Sequence, residues 1–243
     1  MRPPLLALLA ALLAAPQAAR AENLVSPQLH LAPSPIPRVA LTLDACSGHT
    51  DNRILDALIA NNIKSTIFVT ARWLRRNPET LARMLARRDL FEIENHGAEH
   101  VFAAPWPAKL FGVKSAGSAA ALKAEIEGGA AAIKAATGRT PHWYRAAVAE
   151  YAESALPLIR SLDVKIAGYS LAGDGGAQYS EQWTAHVISH ARPGDVILAH
   201  INQPSRPAGA GVVEGVLALK AQGVQFVWLD EAAAHMPRRV MVH

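Results

Sequence analysis

Phe91-Glu92-Ile93-Glu94-Asn95-His96-Gly97-Ala98-Glu99-His100 joins a short apolar strand, Phe91 to Asn95, to two imidazoles four residues apart. If the chain turns once between them, both rings can face one point, and neutral imidazole is the commonest protein ligand for a transition metal. Spacing alone does not decide the matter. The chain holds 10 histidines, and a second pair with the same spacing occurs at His186 and His190. What separates the two pairs is their place in the fold.

Outward from that strand the chain alternates. Upstream, Arg38 to Asp44 is an apolar strand, and Asp51 to Asn61 carries Ile54, Leu55, Leu58 and Ile59 at helical spacing. Ser65 to Thr70 is a second strand, and Pro78 after Asn77 opens a helix to about Arg87. Phe91 to Asn95 is then the third. Downstream, an insertion from Val101 to Ser118 precedes an Ala-rich helix that ends at Thr137-Gly138. Its Gly128-Gly129 pair either weakens the helix or lets another element approach closely. Strands follow at His142–Arg145, Val164–Ser170, Asp195–His200 and Val224–Leu229, with helices at Glu153–Leu162, Glu181–His190 and Val212–Gln222 between them. Strands alternating with helices imply parallel pairing through crossovers, in a doubly wound sheet or a (β/α) barrel. Seven such units in about 200 residues favour a barrel one unit short of eight.

The bulk properties narrow the class. Met1 to Ala21 has a basic start, an uncharged run from Leu5 to Ala15 and a small-x-small end, the pattern of a signal peptide cleaved after Ala21. The run is too short to span a bilayer. The protein is therefore expected to be exported, to the periplasm or beyond, with no membrane span. Residues 22–37 carry prolines and no periodicity and read as a leader lying on the surface, 38–231 as the barrel, and 232–243 as a tail. Removing Arg2 and Arg20 takes the formal net charge from +4 to +2 (4 minus 2), too little to argue for nucleic acid. Arg72, Arg75, Arg76, Arg83, Arg87 and Arg88 fall at helical spacings and read as a solvated face. Cys46 is the only cysteine, so no internal disulfide supports the fold.

In such barrels the working groups sit at the carboxyl ends of the strands. Asp44, His96 with His100, Arg145, Asp174 and His200 all fall there. His186 and His190 close a helix that runs into Pro193-Gly194 ahead of a strand, which places them towards the other end, as dipole-favoured residues of a helix terminus. Only the first pair points at the active face.

These segments, in this order, resemble the motifs of the polysaccharide deacetylases, the NodB-homology family or carbohydrate esterase family 4. Leu41-Thr42-Leu43-Asp44 resembles the first motif, Glu92 to His100 the metal-binding motif, and Trp143-Tyr144-Arg145 the arginine motif. Tyr169 to Asp174 loosely resembles the fourth, and Asp195 to His200 the final histidine motif; Leu219 to Val227 fits the last helix and strand. The resemblance covers roughly residues 38–231. It implies an incomplete (β/α)7 barrel of the NodB-homology type and a hydrolase acting on carbon–nitrogen, non-peptide bonds. The substrate would be an acetylated carbohydrate polymer or oligomer, and the cofactor a divalent metal, zinc first. Asp44 would be the base, His96 and His100 ligands, and His200 the acid. Arg145 would hold Asp44 ionised, and Asp174 would orient His200. Trp106, Phe111 and Trp143 are candidates to stack on sugar rings or simply to pack.

The chain departs from the family at one position. The first motif normally has two adjacent aspartates, base and then ligand, but Asp44 is followed here by Ala45. A methyl group coordinates nothing. Asp44 itself is the first candidate for the missing ligand. Glu94 follows, about 7 Å deeper on the same strand face, then Asp51, better explained as a helix N-cap, and Cys46 as thiolate. Two histidines with water, or no metal at all, complete the possibilities.

Overall fold

The computed structural model describes residues 23–231 and the backbone of 241–242. The signal segment and most of the tail read above lie outside the described residues.

Eight strands form one curled sheet: β1 (Arg38–Ala45), β2 (Ser65–Val69), β3 (Phe91–Asn95), β4 (Trp143–Tyr144), β5 (Lys165–Ile166), β6 (Leu171–Ala172), β7 (Val196–His200) and β8 (Gln225–Phe226). Their order is β6-β7-β1-β2-β3-β4-β5, all pairings are parallel, and β8 adds to the beginning of β1. Among the described residues seven α-helices accompany them: α1 (Asn52–Ala60), α2 (Ala71–Arg76), α3 (Pro78–Leu85), α4 (Ala119–Thr137), α5 (Ala155–Arg160), α6 (Glu181–Ser189) and α7 (Ala208–Ala221). This is an incomplete (β/α) barrel.

Strand alternation decides what faces where. On β1, Val39, Leu41, Leu43 and Ala45 pack outward into the largest core with Ile54, Leu58, Trp73 and Val212. Thr42 and Asp44 face inward and are buried with polar partners. β3 repeats the pattern, with Phe91 and Ile93 outward and Glu92 and Glu94 inward. The inward face thus carries buried polar groups towards both ends of the barrel, around an apolar cluster that includes Ala40, Phe68 and Val196.

Three expectations need correction. The strand expected over Val164–Ser170 is only Lys165–Ile166: β5 pairs with β4, and the chain then crosses so that β6, which begins at Leu171, pairs with β7. Helix α2 is missing from the alternation read above, where its arginines at 72, 75 and 76 appear only as part of a solvated face. Thr70 caps it by accepting from the Trp73 N–H at 3.0 Å, and Trp73 and Leu74 are buried. As far as Leu31 the leader does not lie on the surface, although residues 33–37 are mostly exposed. Leu29 and Leu31 are buried in a cluster with Phe68, Trp143, Ala167 and Val196. Gln28 bridges to Tyr169 in the gap between β5 and β6, so the leader fills the opening that the missing eighth unit leaves. Gly168 permits this, since a Cβ there would stand 1.8 Å from the Pro27 carbonyl oxygen.

A core role for the leader predicts that Leu29→Ala, at a fully buried position, lowers the unfolding free energy by about 2–4 kcal/mol in denaturant titration. A leader lying on the surface would lose no more than about 0.5 kcal/mol.

Candidate active site

The register sets the site. His200 is the direct neighbour of Asp44 across β7 and β1, and Asn95 pairs with Val69, so His96 emerges at the same level. Arg145 follows β4 directly and Asp174 follows β6. The six residues expected at the carboxyl ends, Asp44, His96, His100, Arg145, Asp174 and His200, thus share one end of the barrel.

Arg145 is fully buried and stacks its guanidinium 4.2 Å over the Phe68 ring. It donates through Nη1 to Asp44 Oδ1 and Thr42 Oγ1, both at 2.9 Å, and through Nη2 to the Gly168 carbonyl at 2.9 Å. Burial raises the pKa of Asp44, but His96 and Arg145 outweigh it and hold the carboxyl below its ordinary value. Its second oxygen, Oδ2, lies 3.6 Å from His96 Nε2.

His96 is buried, and its Nδ1–H donates to the Arg145 carbonyl at 2.8 Å. That bond fixes the tautomer, leaving the Nε2 lone pair for the cleft. The His100 ring meets it edge-on at 5.0 Å between centroids. His100 has φ +64°, a left-handed backbone held by its surroundings. The Glu125 carboxylate of α4 supplies that hold, accepting the backbone N–H of Glu99 at 2.9 Å and of Val101 at 3.2 Å. The Gly128-Gly129 pair is the close approach rather than a weak point, since a Cβ on Gly129 would meet Asn95 Oδ1 at 2.2 Å.

Cys46 Sγ sits 3.6 Å from His96 Nε2, and one donor atom each of Cys46, His96 and His100 lie within 4.8 Å of one another. Burial raises the pKa of Cys46, yet His100, His200 and His96 draw it well below that of an ordinary thiol. Across the cleft, Asp174 accepts from the His200 backbone N–H at 2.7 Å and from Nδ1 at 3.0 Å. Burial lowers the pKa of His200, but Asp174 overrides it and raises the value well above the ordinary one.

Other candidates fall elsewhere. Asp51 caps α1 and pairs with Arg53 at 2.6 Å. Glu94 points to the opposite end, where it accepts the backbone N–H groups of His142 and Trp143 at 2.8 and 2.7 Å and forms a cluster with His142 and Asp230. Trp143 is buried there, its indole N–H on Asp230, so it is no sugar platform; Phe111 is 83% exposed on the insertion hairpin. His186 and His190 lie exposed at the end of α6, their rings tilted against each other. Arg72 and Arg75 pair with Glu99, Arg83 with Asp56 and Arg87 with Asp89, all at the surface and each worth little.

The comparisons agree with this geometry. Residues 32–167, more than half of the chain, match the family model for polysaccharide deacetylases. The chain belongs to the polysaccharide deacetylase family. A bifunctional xylanase/deacetylase of Pseudobutyrivibrio xylanivorans is 24% identical over 194 residues, which cover 79% of this chain. The chain spans 30% of the length of that curated relative. Among solved structures, the family 4 carbohydrate esterase PdaA of Bacillus subtilis superposes with a TM-score of 0.67 at 20% identity, covering 85% of this chain and 84% of that one. A CE4 family pseudoenzyme, BA3943 of Bacillus anthracis, gives 0.65 at 19% identity, covering 82% and 66%. These likenesses establish the carbohydrate esterase family 4 fold. No helix among the described residues is long and apolar enough to cross a membrane.

Sequence reasoning passed over Glu125, whose role needs the α4 contact, and the basal Glu94–His142–Asp230 cluster. Burial, with Glu92 and Asp230 adding to it, pushes the Glu94 pKa from 4.5 up to about 8 despite the two backbone bonds. The folded protein therefore binds a proton there that the unfolded chain releases. The stability from that proton is fully present below about pH 4.5 and is lost as the pH rises to about 8. The melting temperature is expected to fall from about pH 5 to about pH 9, and to fall less in Glu94→Gln. Equal slopes in calorimetry would remove Glu94 as the cause.

Proposed function

We propose that this chain is an exported, metal-dependent hydrolase that removes acetyl groups, N-acetyl first, from a polysaccharide or oligosaccharide. The observation that carries this proposal is the meeting of two hydrogen-bonded pairs in one cleft: Asp44 against Arg145, which lowers its pKa, and His200 against Asp174, which raises its pKa.

Each has a role in splitting an acetamide. Asp44 Oδ1 is occupied by Arg145, so Oδ2 accepts the proton of the attacking water. Asp174 engages His200 Nδ1, which leaves the Nε2 proton for the departing nitrogen as the carbon–nitrogen bond breaks. Acetate and a free amine result. The donors fit a divalent cation: two imidazoles with an anchored tautomer and a third electron-pair donor beside them. A metal held by His96, His100 and a third residue would polarise the acetyl carbonyl and acidify the attacking water. Zinc suits imidazole-rich sites. Export rests on the signal pattern of Met1 to Ala21.

A second reading, an impaired carbohydrate-binding protein on the same fold, is favoured by one observation. Ala45 stands where the family has its ligand aspartate, and its methyl packs into the outer core.

Acetate release from chitin oligomers, peptidoglycan and acetylated xylan separates the two. Release is expected from at least one polymer, abolished by chelation and restored by Zn²⁺. Asp44→Asn and His200→Ala are each expected to lower kcat by about 10²–10⁴-fold with bound oligosaccharide retained. Binding without release from any polymer, with metal present, would establish the second reading.

A further inference from the structure

We propose that Cys46, as a thiolate, is the third protein ligand beside His96 and His100, so that this member of the family holds its metal with one sulfur and two imidazoles. The proposal rests on the metal-dependent reading above and specifies the donor that Ala45 leaves unassigned.

Three observations converge on the sulfur. First, Cys46 is the residue that completes a three-donor set with both histidines; among the described residues no carboxylate does so. Second, Asp44 is committed elsewhere. One oxygen is held by Arg145, and the other is no nearer His96 Nε2 than the sulfur is, at 3.6 Å each. Third, the backbone aims Cys46. β1 ends at Ala45, whose carbonyl accepts from the Thr70 N–H at 3.3 Å, and the Thr70 hydroxyl donates to the Cys46 carbonyl. Thr70 is also the N-cap of α2, so the start of a helix fixes the turn that sends Ala45 into the core and Cys46 into the cleft. The missing carboxylate is thus replaced one residue further along. His96, with Nδ1 on the Arg145 carbonyl, directs Nε2 at the same point.

A thiolate is softer than a carboxylate, so the site should take Zn²⁺ or Co²⁺ and discriminate against Mg²⁺ and Mn²⁺. The chemistry also supplies a clean probe, because Cys46 is the only cysteine and any sulfur-to-metal transition belongs to it.

The test is the absorption spectrum of the protein loaded with Co²⁺, which does not depend on turnover. Wild type is expected to show a near-ultraviolet thiolate-to-cobalt charge-transfer band in addition to its visible d–d bands. Cys46→Ser should keep its melting curve, lose the band and bind Zn²⁺ weaker by on the order of a hundredfold, at least the loss seen when an outer-shell partner of a ligand is removed. Should Cys46→Ser fail to fold, alkylation of wild type by iodoacetamide replaces it, and bound Zn²⁺ should protect Cys46. Visible cobalt bands without the charge-transfer band, or unchanged alkylation with zinc bound, would overturn the proposal. Acetate release without the band would leave the deacetylase standing and remove Cys46 as ligand. The band without acetate release would do the reverse.

Discussion

The buried pair of Asp44 and Arg145 is the contact on which the rest of the site depends. Removing one partner of such a pair leaves a charge stranded in the interior, at a cost of about 3–5 kcal/mol. Arg145 draws three pieces of chain together through its guanidinium: Asp44 and Thr42 on β1, the Ala167 and Gly168 carbonyls that follow β5, and the Phe68 ring on β2. Its own carbonyl orients His96. One residue thereby ionises the proposed base and ties down the segment against which the leader closes the barrel through its side chain, and fixes the tautomer of a proposed ligand through its backbone. Its loss would disturb chemistry and fold together.

The barrel keeps its two polar ends apart. At the carboxyl end, opposite charges are paired so that the pKa of the Asp44 carboxyl is lowered and that of the His200 imidazole is raised. At the other, Glu94 is driven towards its neutral form by burial and by Glu92 and Asp230. The two sets come closest in sequence at β3, where Glu94 and His96 are two residues apart. What differs is the partner each meets, an arginine and histidines above and carboxylates below.

The sequence made the alternation of strands and helices legible because β1, β2, β3 and β7 each carry several consecutive buried residues. It also brought Asp44, Arg145 and His200 together, because the carboxyl end of a parallel strand is a topological address. Less was legible where the signal was tertiary. The leader has no periodicity of its own, and its burial follows from a gap that exists only once the sheet curls. The end of β5 at Ile166 and the crossing to β6 at Leu171 depend on the same gap. Glu125 holds the His100 loop from a helix some 25 residues away, a contact that no local pattern encodes. Cys46 ranked low as a ligand because a lone cysteine is usually a small buried residue; the turn at Thr70 is what brings it to the histidines.

The central claim is that the carboxyl end of this barrel is a metal centre built on His96 and His100. Anomalous diffraction at the zinc edge from crystals grown with Zn²⁺ tests it most directly. A single strong peak within bonding distance of the His96 Nε2 atom and a His100 ring nitrogen is the expected result. A peak confined to Glu94, His142 and Asp230, with none at the histidine pair, would contradict it.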